Sequence, residues 1–277
     1  MSLEDVAPLV IASVTAAVIA PATLRALAAS PRLEHVNYRD VRLPFPAGAV
    51  VVAAAALALV PLALLHELAD ADVLPGGLGT IAIYTLGVAF LGLLDDVLAG
   101  EPRGWRGHGA AVIGGGISTG ALKAAGALGL ALFALADQGL GAGEYLLAAS
   151  VLVLTTNLFN LLDLRPGRSV KAFVVLGLGL TLGTWDAGPL WTLGLFAGPV
   201  VVLGVHDLRE RAMLGDTGSN LVGALAGLWI VLALGTTGQA IALGVVLALT
   251  IYGEFRSISA WVEKAPLVRQ LDSLGRP

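Results

Sequence analysis

The sequence predicts an all-α polytopic membrane protein, a bundle of about nine transmembrane helices, and three observations carry that prediction. Mean hydropathy is +0.86, and 57% of the 277 residues are hydrophobic against 13% charged, a balance outside the range of soluble domains. Apolar runs of membrane-crossing length recur at roughly 6–24, 47–66, 78–95, 117–136, 144–162, 169–183, 188–205, 218–235 and 237–254. All sixteen Lys and Arg fall in or beside alternate connections. Arg25, Arg32, Arg39 and Arg42 follow the first run; Arg103, Arg106 and Lys123 follow the third. Arg165, Arg168 and Lys171 follow the fifth, Arg209 and Arg211 the seventh, and Arg256, Lys264, Arg269 and Arg276 the ninth. The charges of the other connections are acids: Glu67, Asp70, Asp72, Asp137, Glu144 and Asp186. The positive-inside rule then sets the N-terminus outside, the C-terminus inside and the basic connections in the cytoplasm. The expected location is the plasma membrane of a prokaryotic cell.

Residues 1–254 read as one integral membrane unit and 255–277 as a cytoplasmic amphipathic tail. In the tail, Phe255, Ile258, Trp261 and Val262, then Leu267, Leu271 and Leu274, recur at helical spacing opposite Arg256, Lys264 and Arg269. That pattern suits two short helices in the inner interface, broken at Pro266. The first run is not a secretory signal, because Glu4 and Asp5 precede it. The chain has no cysteine, which excludes thiol catalysis, disulfides and cysteine metal sites. Gly116-x-x-x-Gly120 and Gly223-x-x-x-Gly227 have the spacing that lets helices pack closely in lipid.

The chemistry-bearing residues gather at the cytoplasmic ends of the runs. In the first basic connection, Arg39 and Arg42 can grip phosphate or only set topology. The third run ends in Asp95-Asp96. Ionisable groups at membrane depth are functional candidates, and neighbours on a helix diverge by about 100°, so the two acids serve different purposes. Arg103, Trp105, Arg106, His108 and Gly114-Gly115-Gly116 form either an anion site or a flexible linker. Lys123, several residues into the fourth run, needs a carboxylate or phosphate partner. Asn157, Asn160 and Asp163 are spaced i, i+3, i+6 and make one polar stripe at the end of the fifth run. His206 and Asp207 read as solvated loop residues. Last, Met213-Leu214-Gly215-Asp216-Thr217-Gly218-Ser219-Asn220 is a polar turn feeding a helix N-terminus. Its free N–H groups favour phosphate, Asp216 suits a hard cation such as Mg²⁺, and Thr217, Ser219 or Asn220 can cap the helix.

These residues resemble the polyprenyl-phosphate N-acetylhexosamine-1-phosphate transferases. Gly92-x-x-Asp95-Asp96 looks like the family's helix-end Asp pair, and Asn157-x-x-Asn160-Leu161-x-Asp163 is similar to its Asn-x-x-Asn-Leu-x-Asp motif. Met213-x-Gly215-Asp216-Thr217-Gly218-Ser219 looks like its Met-Gly-Asp-x-Gly-Ser motif with one Leu inserted, and Lys123 stands where the family tends to carry a lysine. The resemblance implies attack of a polyprenyl phosphate oxygen on the β-phosphate of a UDP-N-acetylhexosamine, with release of UMP. It implies Asp95, Asp96 and Asp163 as catalytic residues, with Asp95 on the lipid phosphate and Asp163 towards the nucleotide-sugar. Lys123, Asn160, Arg39, Gly215 and Ser219 would bind substrate; Asp216 and Asn157 would ligate Mg²⁺, with Mn²⁺ as an alternative. The implied partners are the lipid phosphate, a UDP-sugar, the membrane and, as an option, a second copy of the chain; nucleic acid is not among them.

The pattern departs from the family twice. Ala265-Pro266-Leu267 is followed by Val268, Arg269 and Gln270 where the family carries a histidine cluster, and no tenth span follows. Three other readings compete. An intramembrane prenyltransferase wants carboxylates three or four apart, which Asp95-Asp96 lacks. A transporter wants inverted repeats and polar groups at the midplane. A non-catalytic binder of lipid phosphate or nucleotide-sugar fits the missing histidines and predicts binding without turnover.

Overall fold

The computed structural model describes residues 3–98 and 119–277, and its helices follow the apolar runs. They are α1 (Leu3–Ala28), α2 (Gly48–Ala69), α3 (Leu78–Val97), α4 (Thr119–Leu135), α5 (Ala142–Leu162) and α6 (Arg168–Thr184). Then come α7 (Gly188–Thr192), α8 (Gly194–Leu208), α9 (Gly215–Ala233), α10 (Thr236–Phe255), α11 (Ile258–Lys264) and α12 (Pro266–Ser273). Among the described residues, α1, α2, α3, α5, α9 and α10 are long and apolar enough to cross a membrane, and α4 and α8 are shorter apolar helices. A helix satisfies its own backbone donors and acceptors, which is what a chain this apolar requires in lipid. The protein is a polytopic helical bundle.

Two features differ from expectation. The seventh run is not one helix but α7 and α8 on either side of Leu193. There Gly194 and Gly198 bring the chain against α1. A Cβ on Gly194 would stand 2.9 Å from Leu9 Cβ, and one on Gly198 would stand 2.4 Å from Ser13 Oγ. The all-α expectation also misses a two-stranded antiparallel hairpin, β1 (Glu34–Val36) paired with β2 (Arg42–Pro44). Asn37 organises its turn: Oδ1 accepts from the backbone N–H of Arg39 at 2.8 Å and of Val41 at 3.0 Å, and Asp40 takes the left-handed conformation at φ 60°. Leu43 pins the hairpin by burying its side chain.

Helix α9 is the hub of the bundle, buried from Thr217 to Ile230. Small residues let its neighbours approach. Against α5 the close points of α9 are Gly223, whose Cβ would lie 2.7 Å from Thr156 Cα, and Gly227, whose Cβ would lie 3.1 Å from Leu152 Cα. On α2, a Cβ on Gly48 would lie 2.2 Å from Gly218 N. On α6, the Trp229 ring meets Phe173 edge-on at 5.5 Å. The Gly223-x-x-x-Gly227 spacing thus serves packing, as its sequence suggests; Gly116 of the other pair lies outside the described residues. Helix α9 is fastened at its start by backbone pairing with the β2–α2 connection: Met213 N to Pro44 O at 3.0 Å, Ala47 N to Met213 O at 2.8 Å, and Gly48 N to Leu214 O at 3.0 Å.

The two ends of the bundle differ in charge. The end holding the start of α1 and the α2–α3 and α6–α7 connections opens into a cavity of about 570 Å³, whose charged lining residues are Glu4, Asp5, Asp72 and Asp186. The other end carries the hairpin, α11, α12 and the polar motifs.

Candidate functional site

Four helix ends converge there. Lys123, just past the first turn of α4, sets Nζ 2.8 Å from Asp95 Oδ2 at the end of α3 and 2.5 Å from Asp216 Oδ2 in the first turn of α9. Asp95 and Asp216 thus share one ammonium. Two carboxylates this close repel unless a cation or proton lies between them, and the ammonium supplies the charge. The three side chains remain 20–32% exposed, so the cluster is open to ligands.

Asp96 faces elsewhere. Its carboxylate accepts from the backbone N–H of Asp216 at 2.8 Å, the backbone N–H of Thr217 at 2.9 Å and the Thr217 hydroxyl at 2.6 Å. It therefore caps α9 from another helix, the position preceding α9 being an apolar Leu214 with no side-chain cap. Gly92, one turn earlier, makes room: a Cβ there would lie 2.3 Å from the Asp216 carbonyl oxygen. The capping role expected of Thr217, Ser219 or Asn220 thus falls to Asp96. Two of the N–H groups expected to favour phosphate are already taken. Gly215 supports the same turn at φ 71°, where a Cβ would meet Asp96 Oδ2, Phe45 and Pro46, each at 2.8 Å. Ser219 is fully buried, and its hydroxyl has no partner among the described residues.

The polar stripe of α5 reaches the same place. Asn160 Nδ2 donates to Asn220 Oδ1 of α9 at 3.0 Å. The Asn157 side chain is exposed and makes no hydrogen bond among the described residues, and the carboxylate that shares the Lys123 ammonium with Asp216 is that of Asp95. Asp163 follows α5 and lines a cavity of about 50 Å³ with Asn37, Tyr38, Arg165, Asp207 and Met213. Burial, then the nearby carboxylates of Asp207, Asp216 and Asp96, push the Asp163 carboxyl well above the usual carboxylate range, with Arg168 opposing.

Asp207 is not the solvated loop residue its sequence suggests. It is 3% exposed in the last turn of α8 and accepts from the backbone N–H of Gly167 at 2.6 Å, tying the loop after Asp163 to the loop before Asp216. Glu210 plays the same part for the hairpin. It accepts from Asn37 Nδ2 at 3.1 Å and Tyr38 OH at 2.9 Å and pairs with Arg39 at 3.5 Å. Arg165 lies over the Tyr38 ring at 4.3 Å and Arg39 over it at 5.3 Å. Arg39 accordingly belongs to the Asp163 side of the site, not to the Lys123 cluster. The signal for Glu210 was its place among the basic residues Arg209 and Arg211, which says only that some charge pairs there. Arg103, Trp105, Arg106, His108 and Gly114-Gly115-Gly116 lie outside the described residues.

The tail closes this end. Asp272 of α12 takes two hydrogen bonds from Arg168, at 2.8 and 3.1 Å, and two from Arg276, at 3.0 Å each. Burial alone would raise the Asp272 carboxyl, but these guanidinium bonds outweigh it and hold it down at about 2. Lys171 donates to the carbonyls of Leu271, Asp272 and Leu274 at the end of α12.

The donor set suits a hard divalent cation. Two carboxylate oxygens converge on one point held by an ammonium, and Mg²⁺ commonly takes one or two carboxylates while water and phosphate fill its other positions. Among the described residues no group of three His, Cys, Asp or Glu side chains gathers to form a complete protein cage. No protein-family model matches the chain, and no curated protein matches it.

Proposed function

We propose that this chain transfers a sugar 1-phosphate, of the N-acetylhexosamine class, from a UDP-sugar to a polyprenyl phosphate at the cytoplasmic face of a plasma membrane. The observation that carries the reading is the Asp95–Lys123–Asp216 cluster. It joins the ends of three helices far apart in sequence, with Asn160 and Asp163 beside it, at the end of the bundle where the cationic side chains lie. In this reading α1 to α6, α7 with α8, α9 and α10 make nine crossings, N-terminus outside, and the acid-lined cavity faces outward.

The reaction forms a bond from an acceptor phosphate oxygen to the β-phosphorus of the UDP-sugar and breaks the bond from that phosphorus to the oxygen bridging the two phosphates. UMP leaves with that oxygen. Asp95 and Asp216 would hold Mg²⁺, which when bound supplies neutralisation of phosphate charge. Lys123 orients a phosphate oxygen by ammonium hydrogen bonds. Asp96 and Gly92 fix the turn that carries Asp216, and Asp207 fixes the loop that carries Asp163. The acceptor phosphate is already ionised near neutral pH, so orientation and charge neutralisation, not a strong base, lower the barrier.

The test is purified protein in lipid nanodiscs with Mg²⁺, undecaprenyl phosphate and a panel of UDP-sugars led by UDP-GlcNAc, followed for UMP. Asp216→Asn and Asp95→Asn should each lower the rate by at least about a hundredfold. If no sugar yields UMP, or if Asp216→Asn turns over like the wild type, the reading fails.

A further inference from the structure

We infer that Lys123 is the built-in counter-ion of the Asp95–Asp216 pair and gives up that place only when a divalent cation and a phosphate arrive together. The inference rests on the transferase reading for the identity of the phosphate, but its physical basis is the cluster itself. Nζ lies 2.8 Å from Asp95 Oδ2 and 2.5 Å from Asp216 Oδ2, so the ammonium occupies the point where the two carboxylates converge. A divalent ion held by both oxygens needs that point. Two cations cannot share it, because like charges this close repel strongly at the edge of a membrane.

Lys123 therefore has to move when a metal binds, and an ammonium displaced at this depth needs another anion. Of the nearby carboxylates, Asp163 is buried beside Asp207, Asp216 and Asp96, which disfavour its charged form, and the other two are already engaged. Asp96 accepts three hydrogen bonds from the start of α9, and Asp207 accepts from the Gly167 amide. A substrate phosphate is the partner that completes the exchange. It takes the ammonium by charge-assisted hydrogen bonds and offers oxygens to the metal. Metal and phosphate then bind with positive coupling, each raising the affinity of the other by the same factor. The arrangement also keeps the site from holding bare metal between turnovers, since without phosphate the internal ammonium competes for the same oxygens.

Mn²⁺ serves as the metal probe, with unbound ion counted by its paramagnetic resonance signal, and farnesyl phosphate in the nanodisc serves as the phosphate probe; empty nanodiscs correct for binding to the lipid. Wild-type protein should bind Mn²⁺ about tenfold more tightly with farnesyl phosphate than without it. Lys123→Met should bind Mn²⁺ about tenfold more tightly than wild type in the absence of farnesyl phosphate and gain little from adding it. Lys123→Arg should keep the wild-type dependence. Asp216→Asn should remove the signal in each background, which assigns it to this site. The inference is overturned if Lys123→Met binds Mn²⁺ no more tightly than wild type, or if farnesyl phosphate leaves the wild-type affinity unchanged. The second result decides the matter alone should Lys123→Met not fold. UMP release is measured separately. Turnover without coupled Mn²⁺ binding sinks only this inference, whereas coupled binding with no UMP from any sugar sinks only the transferase reading.

Discussion

Removing the Asp96 carboxylate separates a positioning role from a chemical one. Asp96 accepts three hydrogen bonds, from Asp216 N, Thr217 N and Thr217 Oγ1, at 2.8, 2.9 and 2.6 Å. Hydrogen bonds to an ionised group contribute roughly 1.5–3 kcal/mol each when considered singly. Three bonds on one carboxylate are not additive, and loss of a helix cap measures at roughly 0.5–2 kcal/mol. Asp96→Ala should therefore destabilise the protein by about 2–4 kcal/mol, between the cap value and the simple sum. Asp96→Asn should fall between wild type and Asp96→Ala, because one oxygen survives while its NH₂ group faces the N–H donors. The same change loosens the turn that carries Asp216, and a displacement of about 1 Å can lower a rate by about a hundredfold. Thermal unfolding in nanodiscs, read from tryptophan fluorescence, measures the first effect; UMP release measures the second. Asp95→Asn is the contrast, because it leaves the cap intact and should lose turnover with a smaller change in unfolding temperature. If Asp96→Ala melts with the wild type while losing all turnover, Asp96 acts in the chemistry and the capping argument is wrong.

Gly92→Ala puts a Cβ 2.3 Å from the Asp216 carbonyl oxygen. Since the Asp216 and Thr217 atoms it would meet are backbone, destabilisation of at least about 1–3 kcal/mol is expected, read as a lower unfolding temperature with reduced UMP release. Asp272→Asn tests the tail. Its folded pKa, about 2, lies below the ordinary value, so the stability it adds is complete above about pH 4 and is lost as pH falls through about 2. The variant should be about 1–2 kcal/mol less stable at pH 7, a figure reduced for solvent screening, and the gap should close in acid. Asp163→Asn should do the opposite. A carboxyl whose folded pKa is raised disfavours the folded state as pH rises past its unfolded value, so the variant should melt higher than wild type at neutral pH while losing UMP release. Equal melting of the two across pH 4 to 8 would remove the electrostatic basis of that expectation.

The position of the helices was legible because a bilayer imposes length and apolarity on each crossing, and these are local properties. Helix α9 begins at Gly215 and α5 ends at Leu162, close to where the polar motifs interrupt the apolar runs. What was not legible depended on approach between distant segments. Asp96 and Thr217 are 121 residues apart, and nothing near either one announces that α3 supplies the cap of α9. Gly92 carried the only local hint, a residue without a side chain one turn before the acids. Asp207 was misread because its sequence neighbours, His206 and Arg209, suggest a solvated loop; its burial follows from packing of α8 against the loop after α5. The break at Leu193 was likewise hidden, since an apolar run looks continuous whether or not its helix is. The hairpin was missed because its short strands carry Arg42 and Pro44 and show little alternation outside Val36, Val41 and Leu43.

Charge balance explains why a cluster with its own ammonium should still attract a metal. With their carboxylates ionised, Asp95, Asp96 and Asp216 bring three negative charges to the site and Lys123 returns one positive charge. The N-terminus of α9 adds the equivalent of about half a positive charge, directed at Asp96 by the two amide hydrogen bonds. A deficit of roughly one and a half charges remains at the margin of a membrane, where a net charge is costly. A divalent cation beside the ammonium would leave a surplus of about half a charge, which an incoming phosphate relieves, so metal and phosphate enter together. Asp96 is what makes this order possible: by spending its charge on the helix start, it leaves Asp95 and Asp216 as the pair that exchanges one cation for another. Converting Asp96 to Ala should thus weaken Mn²⁺ binding even though Asp96 touches neither Lys123 nor the point between the two carboxylates. A Mn²⁺ affinity that stays unchanged in folded Asp96→Ala would show that the cap has no electrostatic share in the site.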